Sequence, residues 1–129
     1  MNQEKKRILV IDDDTNILRV FKSILEKEGY MVETAETGKD ALEKIKKEKF
    51  NVCLIDVKLP DMDGTDLLLE LTKEPETIKI IITGFSSDEV GRKAADYGAD
   101  DFLVKPVKAE ELIATVRDRL VTKELETQV

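Results

Sequence analysis

Histidine and tryptophan are absent from the 129-residue sequence, and cysteine occurs once, at Cys53. Without histidine the chain has no imidazole for acid–base catalysis, for metal binding or for carrying a phosphoryl group of its own. A single cysteine excludes an intrachain disulfide and a cysteine-built zinc site. Because Cys53 lies within the apolar run FNVCLID, we expect a small buried side chain in a protein of the reducing cytoplasm.

Long apolar segments and an excess of positive charge are also missing. No apolar run approaches the roughly 20 residues that a membrane-spanning helix needs, and the first residues, MNQEKKR, are mostly polar. The 28 acidic residues outnumber the 21 basic ones, for a net charge of −7, which argues against a nucleic-acid-binding surface. We therefore expect neither a membrane span nor nucleic-acid binding by this domain.

What the sequence does contain is a regular alternation of apolar runs and helical patterns. The runs are RILVID, YMVETA, NVCLID, IKIIIT and DFLV, and each is followed by apolar residues at helical spacing. Strands that are apolar on both faces and alternate with helices predict one α/β domain with a doubly wound, five-stranded parallel sheet. Its core should span residues 6–121, and the polar residues 122–129 should form a tail that frays or prolongs the last helix. Gly91 should weaken the fourth helix.

Charged and hydroxyl side chains end four of the five runs. They are Asp12 and Asp13 after the first run, Asp56 after the third, Thr83 at the end of the fourth and Lys105 after the fifth. Ligands of such sheets bind at the carboxyl ends of the strands, so these side chains should converge. Carboxylates suit Mg²⁺, a hydroxyl and an ammonium can bind phosphoryl oxygens, and an aspartate can attack phosphorus. The pattern predicts a phosphoryl-transfer site.

Each of these residues also has a purely structural interpretation. Asp14, and even Asp13, could cap the following helix, and we assign the cap to Asp14. Taken alone, Thr83 would be an ordinary strand residue and Lys105 a solvated side chain before Pro106. The combination favours the site, because chance rarely places complementary metal and phosphate chemistry at four strand ends.

The motifs LVIDDD, LIDVKLPDMDG, IIITG and DFLVKP, in this order and at these spacings, resemble the receiver domain of two-component response regulators from Arg7 to about Leu120. The resemblance implies a flavodoxin-like fold with strand order 2-1-3-4-5 and five helices. It also implies a signalling switch rather than an enzyme. Its partners would be a sensor histidine kinase or phosphotransfer protein, a downstream effector protein or output domain, and a second copy of the chain in a phosphorylation-dependent homodimer.

The resemblance also implies a metal and a phosphoacceptor. Asp56 would be phosphorylated, and Asp13 and Asp56 would bind Mg²⁺ directly, with Mn²⁺ as a substitute. Asp12 would reach the ion through water, and Lys58 would contribute its backbone carbonyl. Lys58 and Phe85 would flank the path of the water that hydrolyses the phosphoryl group, so we expect slow hydrolysis.

Further residues would form the switch. Thr83 and Lys105 would bind phosphoryl oxygens, and Phe102 would rotate to change the surface of the fourth helix, fifth strand and fifth helix. The bond between Lys105 and Pro106 would be cis. Gly84 departs from the alanine that is more common in the family, and Phe102 lacks the hydroxyl of the usual tyrosine, so the switch would act through packing.

Two other functions stay open at this point. The segment DMDGT, residues 61–65, looks like the nucleophile motif of haloacid-dehalogenase-type phosphatases, although Asp61 does not directly follow a predicted strand. The other function is a receiver-like binding module that works without phosphorylation.

Gly64 should supply a backbone conformation that other residues resist. The chain is either a stand-alone receiver or the N-terminal part of a longer regulator.

Overall fold

The computed structural model describes residues 4–84 and 87–127 and alternates strands with helices throughout. The strands are β1 (Arg7–Ile11), β2 (Met31–Ala35), β3 (Val52–Ile55), β4 (Ile78–Thr83) and β5 (Asp101–Val104). The helices are α1 (Thr15–Lys27), α2 (Gly38–Lys47), α3 (Gly64–Leu71), α4 (Asp88–Asp96) and α5 (Ala109–Thr127). All neighbouring strands are parallel, and the order β2-β1-β3-β4-β5 confirms the predicted fold.

Apolar side chains cover both faces of the sheet, as the unbroken apolar runs predict. Successive residues of a strand face opposite sides, so Ile80 of β4 packs with α1 and α5, whereas Ile81 packs with α2, α3 and α4. Cys53 is fully buried in the second of these clusters, as expected. Burial on both faces leaves only the ends and outer edges of the sheet for polar chemistry.

Local sequence accounts for the ends of α1. The carboxylate of Asp14 accepts hydrogen bonds from the backbone N–H groups of Asn16, at 2.9 Å, and Ile17, at 3.4 Å. This contact confirms Asp14 as the helix cap. At the other end Gly29 has a φ of 94°, a conformation that glycine adopts without strain, and the helix stops there as predicted.

The last helix is longer than the predicted core. Helix α5 continues to Thr127, so the polar residues 122–127 prolong the last helix, which is one of the two alternatives expected from the sequence. Beyond Leu120 its side chains are largely exposed, including those of Val121 and Leu125. Within residues 4–84 and 87–127, no helix combines the length and apolar character needed to cross a membrane.

Candidate functional site

Strand pairing brings the predicted residues to one end of the sheet. The N–H of Asp56 donates to the carbonyl of Ile11 at 2.9 Å, which places Asp56 beside the end of β1 and next to Asp12. On the other side, the N–H of Lys105 donates to the carbonyl of Thr83 at 2.9 Å and extends the pairing of β4 with β5. The parallel register therefore gathers residues that lie up to 93 positions apart in the chain.

Three carboxylates form a compact acidic cluster at this end. Asp12, Asp13 and Asp56 each offer an oxygen atom within 4.8 Å of the others. Asp12 and Asp56 are only 3% and 6% exposed, whereas Asp13 is exposed. The Oδ1 atom of Asp56 is buried and accepts no hydrogen bond from the part of the chain that the structure describes. Hard oxygen donors and an unsatisfied buried carboxylate oxygen fit a divalent cation such as Mg²⁺.

One ammonium group faces this cluster. Lys105 Nζ lies 2.7 Å from Asp12 Oδ2 and 3.5 Å from Asp56 Oδ2. Burial disfavours the charged form of Lys105, but its hydrogen bond to Asp12 and the charges of both aspartates outweigh burial and raise its pKa. Lys105 therefore stays protonated and can bind an anionic group at the same place.

The carboxyl group of Asp56 ionises less readily than that of an exposed aspartate. Burial, followed by the nearby charge of Asp12, raises the pKa of Asp56 to about 6. The Lys105 ammonium and the backbone N–H of Lys58 act in the opposite direction but do not cancel this effect. Lys105 thus compensates the negative charge of the cluster only in part, and a bound cation would add to that compensation.

Thr83 and Phe102 lie on neighbouring strands near the cluster. Thr83 is fully buried at the end of β4, and Phe102 of β5 pairs with Ile81 and packs, half-buried, on the apolar cluster of α2, α3 and α4. The bond between Lys105 and Pro106 is cis. Phe85, proposed above to shield the site from water, lies outside the described residues.

The loop after β3 is tightly packed, and here the prediction for Gly64 was wrong. The φ of Gly64 is not in the positive range that favours glycine. Instead, a Cβ at this position would lie 1.9 Å from the backbone oxygen of Asp56. Glycine is needed for space, because the start of α3 passes directly against the backbone of Asp56.

Three charged residues of this region have roles that sequence reasoning missed: Asp61, Asp63 and Lys93. Asp61, the nucleophile of the phosphatase hypothesis, directs its carboxylate to the start of α2 and is not among the carboxylates of the acidic cluster. Lys93 of α4 lies 3.8 Å from Asp63 and 3.7 Å from Asp66. Asp63 caps α3, and an Asp before the first helical residue was the available signal for that role.

Comparison with known proteins places these observations in a family. The model of the response regulator receiver domain matches residues 8–117. The response regulator ArlR of Staphylococcus saprophyticus is 36% identical over 114 residues, which are 88% of this chain and 52% of that protein. The chain thus spans about half the length of this curated relative.

Solved structures agree with this match. A CheY-like receiver domain protein from Methanospirillum hungatei is 44% identical, with a TM-score of 0.93, over 95% of this chain and 99% of that one. A response regulator from Burkholderia pseudomallei is 29% identical, with a TM-score of 0.83, over 95% of this chain and 73% of that one. The latter structure contains a phosphorylated aspartic acid, a calcium ion and citrate.

Proposed function

The chain belongs to the response regulator receiver domain family, and from this premise we propose that it is a phosphoacceptor switch that is phosphorylated on Asp56. One observation carries the proposal: the buried carboxylate of Asp56 shares the ammonium of Lys105 with a second buried carboxylate, that of Asp12. The phosphorylated aspartate and calcium ion of the Burkholderia relative support the same chemistry here. A sensor histidine kinase or a phosphotransfer protein would be the donor.

The transfer would proceed by direct attack. A carboxylate oxygen of Asp56 bonds to phosphorus, and the bond from phosphorus to the donor's imidazole nitrogen breaks with its electron pair left on that nitrogen. Lys105 then shifts from the carboxylates to a phosphoryl oxygen, and the Thr83 hydroxyl donates to another. The product is an acyl phosphate on Asp56.

The acidic cluster would hold Mg²⁺, or Mn²⁺ in its place. Asp13 and Asp56 would bind the ion directly, Asp12 through water, and Lys58 through its backbone carbonyl. When bound, the ion supplies positive charge to the carboxylates and to the phosphoryl oxygens. Few protein ligands imply weak affinity, with water completing the coordination.

The output would be a change of surface rather than turnover of a substrate. As Thr83 is drawn to the phosphoryl group, Phe102 turns into the space that is vacated. Burying the ring contributes about 1.5 to 3 kcal/mol, enough to shift a two-state equilibrium at least tenfold. The surface of α4, β5 and α5 would then bind a downstream effector, an output domain or a second copy of the chain. We place this signalling in the cytoplasm, consistent with the single reduced cysteine.

Intact-mass measurement after treatment with acetyl phosphate tests the proposal. The wild-type protein should gain one acid-labile phosphoryl group in the presence of Mg²⁺ and none in EDTA, and Asp56→Asn should gain none. Glu33→Gln, which changes a partner of Arg7 in the middle of β2, is the control and should be labelled like the wild type. An Asp56→Asn protein that is still labelled would contradict the assignment.

Amide exchange with and without beryllofluoride, a phosphoryl mimic, tests the switch. Protection should change from Thr83 to Tyr97 and near Phe102, and Thr83→Ala should suppress these changes. If the changes are confined to the loop after β3, or if Thr83→Ala responds like the wild type, the signal leaves the site by another route.

A further inference from the structure

Asp61 joins the loop after β3 to the start of α2. Its Oδ1 accepts a hydrogen bond from the N–H of Gly38 at 2.8 Å, and its Oδ2 accepts one from the N–H of Lys39 at 2.9 Å. Both N–H groups belong to the first turn of a helix, where no intrahelical acceptor is available. A single carboxylate thus spans two parts of the chain that are more than 20 residues apart.

The side chain of Met62, next to Asp61 in the chain, packs against the same first turn of α2. A Cβ at Gly38 would lie 2.4 Å from both Cγ and Sδ of Met62, so the loop lies directly against the backbone of α2. Gly38 is buried, and Met62 is half-buried against the apolar cluster that includes α2 and α3. The loop tip is therefore held by two adjacent residues, one polar and one apolar.

The loop that Asp61 holds also carries Lys58, whose carbonyl we assign to the cation. At its base, Lys58 and Asp63 form an antiparallel bridge, and the N–H of Gly64 donates to the carbonyl of Val57 at 2.6 Å. At its tip, the N–H of Leu59 donates to the carbonyl of Met62 at 3.3 Å, which is long for such a bond. The hydrogen bonds from Gly38 and Lys39 of α2 therefore add to this weak contact in positioning the tip.

Capping of α2 alone does not account for Asp61. Thr37 already caps this helix, because its Oγ1 accepts a hydrogen bond from the N–H of Asp40 at 3.0 Å. We propose that Asp61 is a positioning residue, which holds the loop against α2 and so presets the Lys58 carbonyl for the divalent cation. The cation step rests on the proposed function, whereas the attachment of the loop does not.

Amide exchange of the metal-free protein tests the attachment, with Thr37→Ala as the matched control. Both Asp61→Ala and Thr37→Ala remove a cap from α2, but only the first releases the loop. In Asp61→Ala, exchange at Leu59 and Gly64 should accelerate about tenfold, the equivalent of about 1.4 kcal/mol. In Thr37→Ala, exchange at these amides should match the wild type. Equal acceleration in both variants, or none in Asp61→Ala, would overturn the proposal.

Calorimetric titration with Mg²⁺ tests the consequence for the cation. Asp61→Ala should weaken binding about fivefold to tenfold, because it removes both hydrogen bonds that hold the loop against α2. Thr37→Ala leaves these two hydrogen bonds in place and should not weaken binding. Asp61→Asn keeps an acceptor oxygen without the charge and should restore part of the affinity. If Asp61→Asn binds as weakly as Asp61→Ala, charge rather than position is responsible and the proposal fails.

Amide exchange and Mg²⁺ titration together distinguish a failure of this proposal from a failure of the proposed function. A wild-type protein that binds no Mg²⁺ would overturn the cation chemistry. The exchange comparison would still decide whether Asp61 holds the loop, because it is made without metal.

Discussion

The two ends of the sheet each place one cation against two carboxylates, but they do so in different surroundings. At the amino end, Arg7 contacts Glu33 at 2.9 Å and also pairs with Glu48, with all three side chains between 33% and 41% exposed. At the carboxyl end, Lys105 contacts Asp12 and Asp56, whose side chains are only 4% and 8% exposed. The ion pairs at the amino end are therefore partly exposed to solvent, whereas the carboxylates at the carboxyl end lie in the protein interior.

The ionisation of the two clusters shows what burial changes. At the amino end, a hydrogen bond between the two carboxyl groups raises the pKa of Glu33 and lowers that of Glu48. At the carboxyl end, burial raises the pKa of Asp56 to about 6. Asp13 adds a further carboxylate there. Burial thus opposes the ionisation of Asp56, and an additional positive charge would favour it.

The largest expected change in stability comes from the close backbone contact between Gly64 and Asp56 at the carboxyl end of the sheet. Gly64→Ala should lower the free energy of unfolding by more than about 3 kcal/mol, because the new Cβ would overlap the backbone oxygen of Asp56. Gly91→Ala is the matched control. A Cβ there meets nothing within 4 Å, so it should stabilise α4 by about 0.5 to 1 kcal/mol. Urea unfolding measures both, and a Gly64→Ala protein as stable as the wild type would contradict the close contact.

The next largest effect is the pH dependence of folding stability that Asp56 causes when no metal is present. Because the pKa of Asp56 is about 6 in the folded protein and 3.8 ordinarily, the folded state binds the proton more tightly. The contribution of Asp56 to stability should therefore be fully present below about pH 4 and be lost as the pH rises to about 6, a change of about 2 to 3 kcal/mol. Asp56→Asn should lack this fall and exceed the wild type in stability above pH 6.

Urea unfolding of the wild type and of Asp56→Asn in EDTA across this pH range makes the measurement. If Asp56→Asn and the wild type show the same pH profile, Asp56 does not carry the unfavourable charge.

A smaller effect is expected at the exposed end. Arg7→Met should lower the free energy of unfolding by about 1.5 kcal/mol, since it removes half-exposed ion pairs and a cationic group 5.8 Å from the centre of the Phe50 ring. The difference from the wild type should shrink as salt is added, because exposed charges are screened. A difference that is insensitive to salt would indicate that packing, not charge, dominates at this end.

The smallest effect separates two neighbouring aspartates of the carboxyl end. Asp14→Ala should lose about 1 kcal/mol of stability through the cap of α1 while Mg²⁺ binding persists. Asp13→Ala should abolish detectable Mg²⁺ binding with little loss of stability. Calorimetry and urea unfolding of both variants make the comparison. The opposite pattern would show that the assignment within the triplet is displaced by one residue.

Much of this molecule follows from local patterns that are legible in the sequence. Alternating apolar runs and helical spacings predict the five parallel strands and the helices, since each segment must bury its own apolar residues. The strand order was implied by the resemblance to the receiver domain. The charged strand ends predict which side chains meet, because parallel strands share one carboxyl end. Asp14 could be assigned as a cap because a cap depends only on the few residues that follow it.

Other features depend on distances between segments that are remote in sequence. The need for glycine at position 64 comes from the backbone of Asp56, and the attachment of Asp61 comes from N–H groups of a helix that begins at Gly38. The raised pKa of Asp56 likewise depends on burial and on Asp12, which is 44 positions away. The sequence by itself determined the fold and the members of the acidic cluster. Only the tertiary structure decided how closely they pack and how strongly they are charged, because packing and desolvation are properties of the assembled chain.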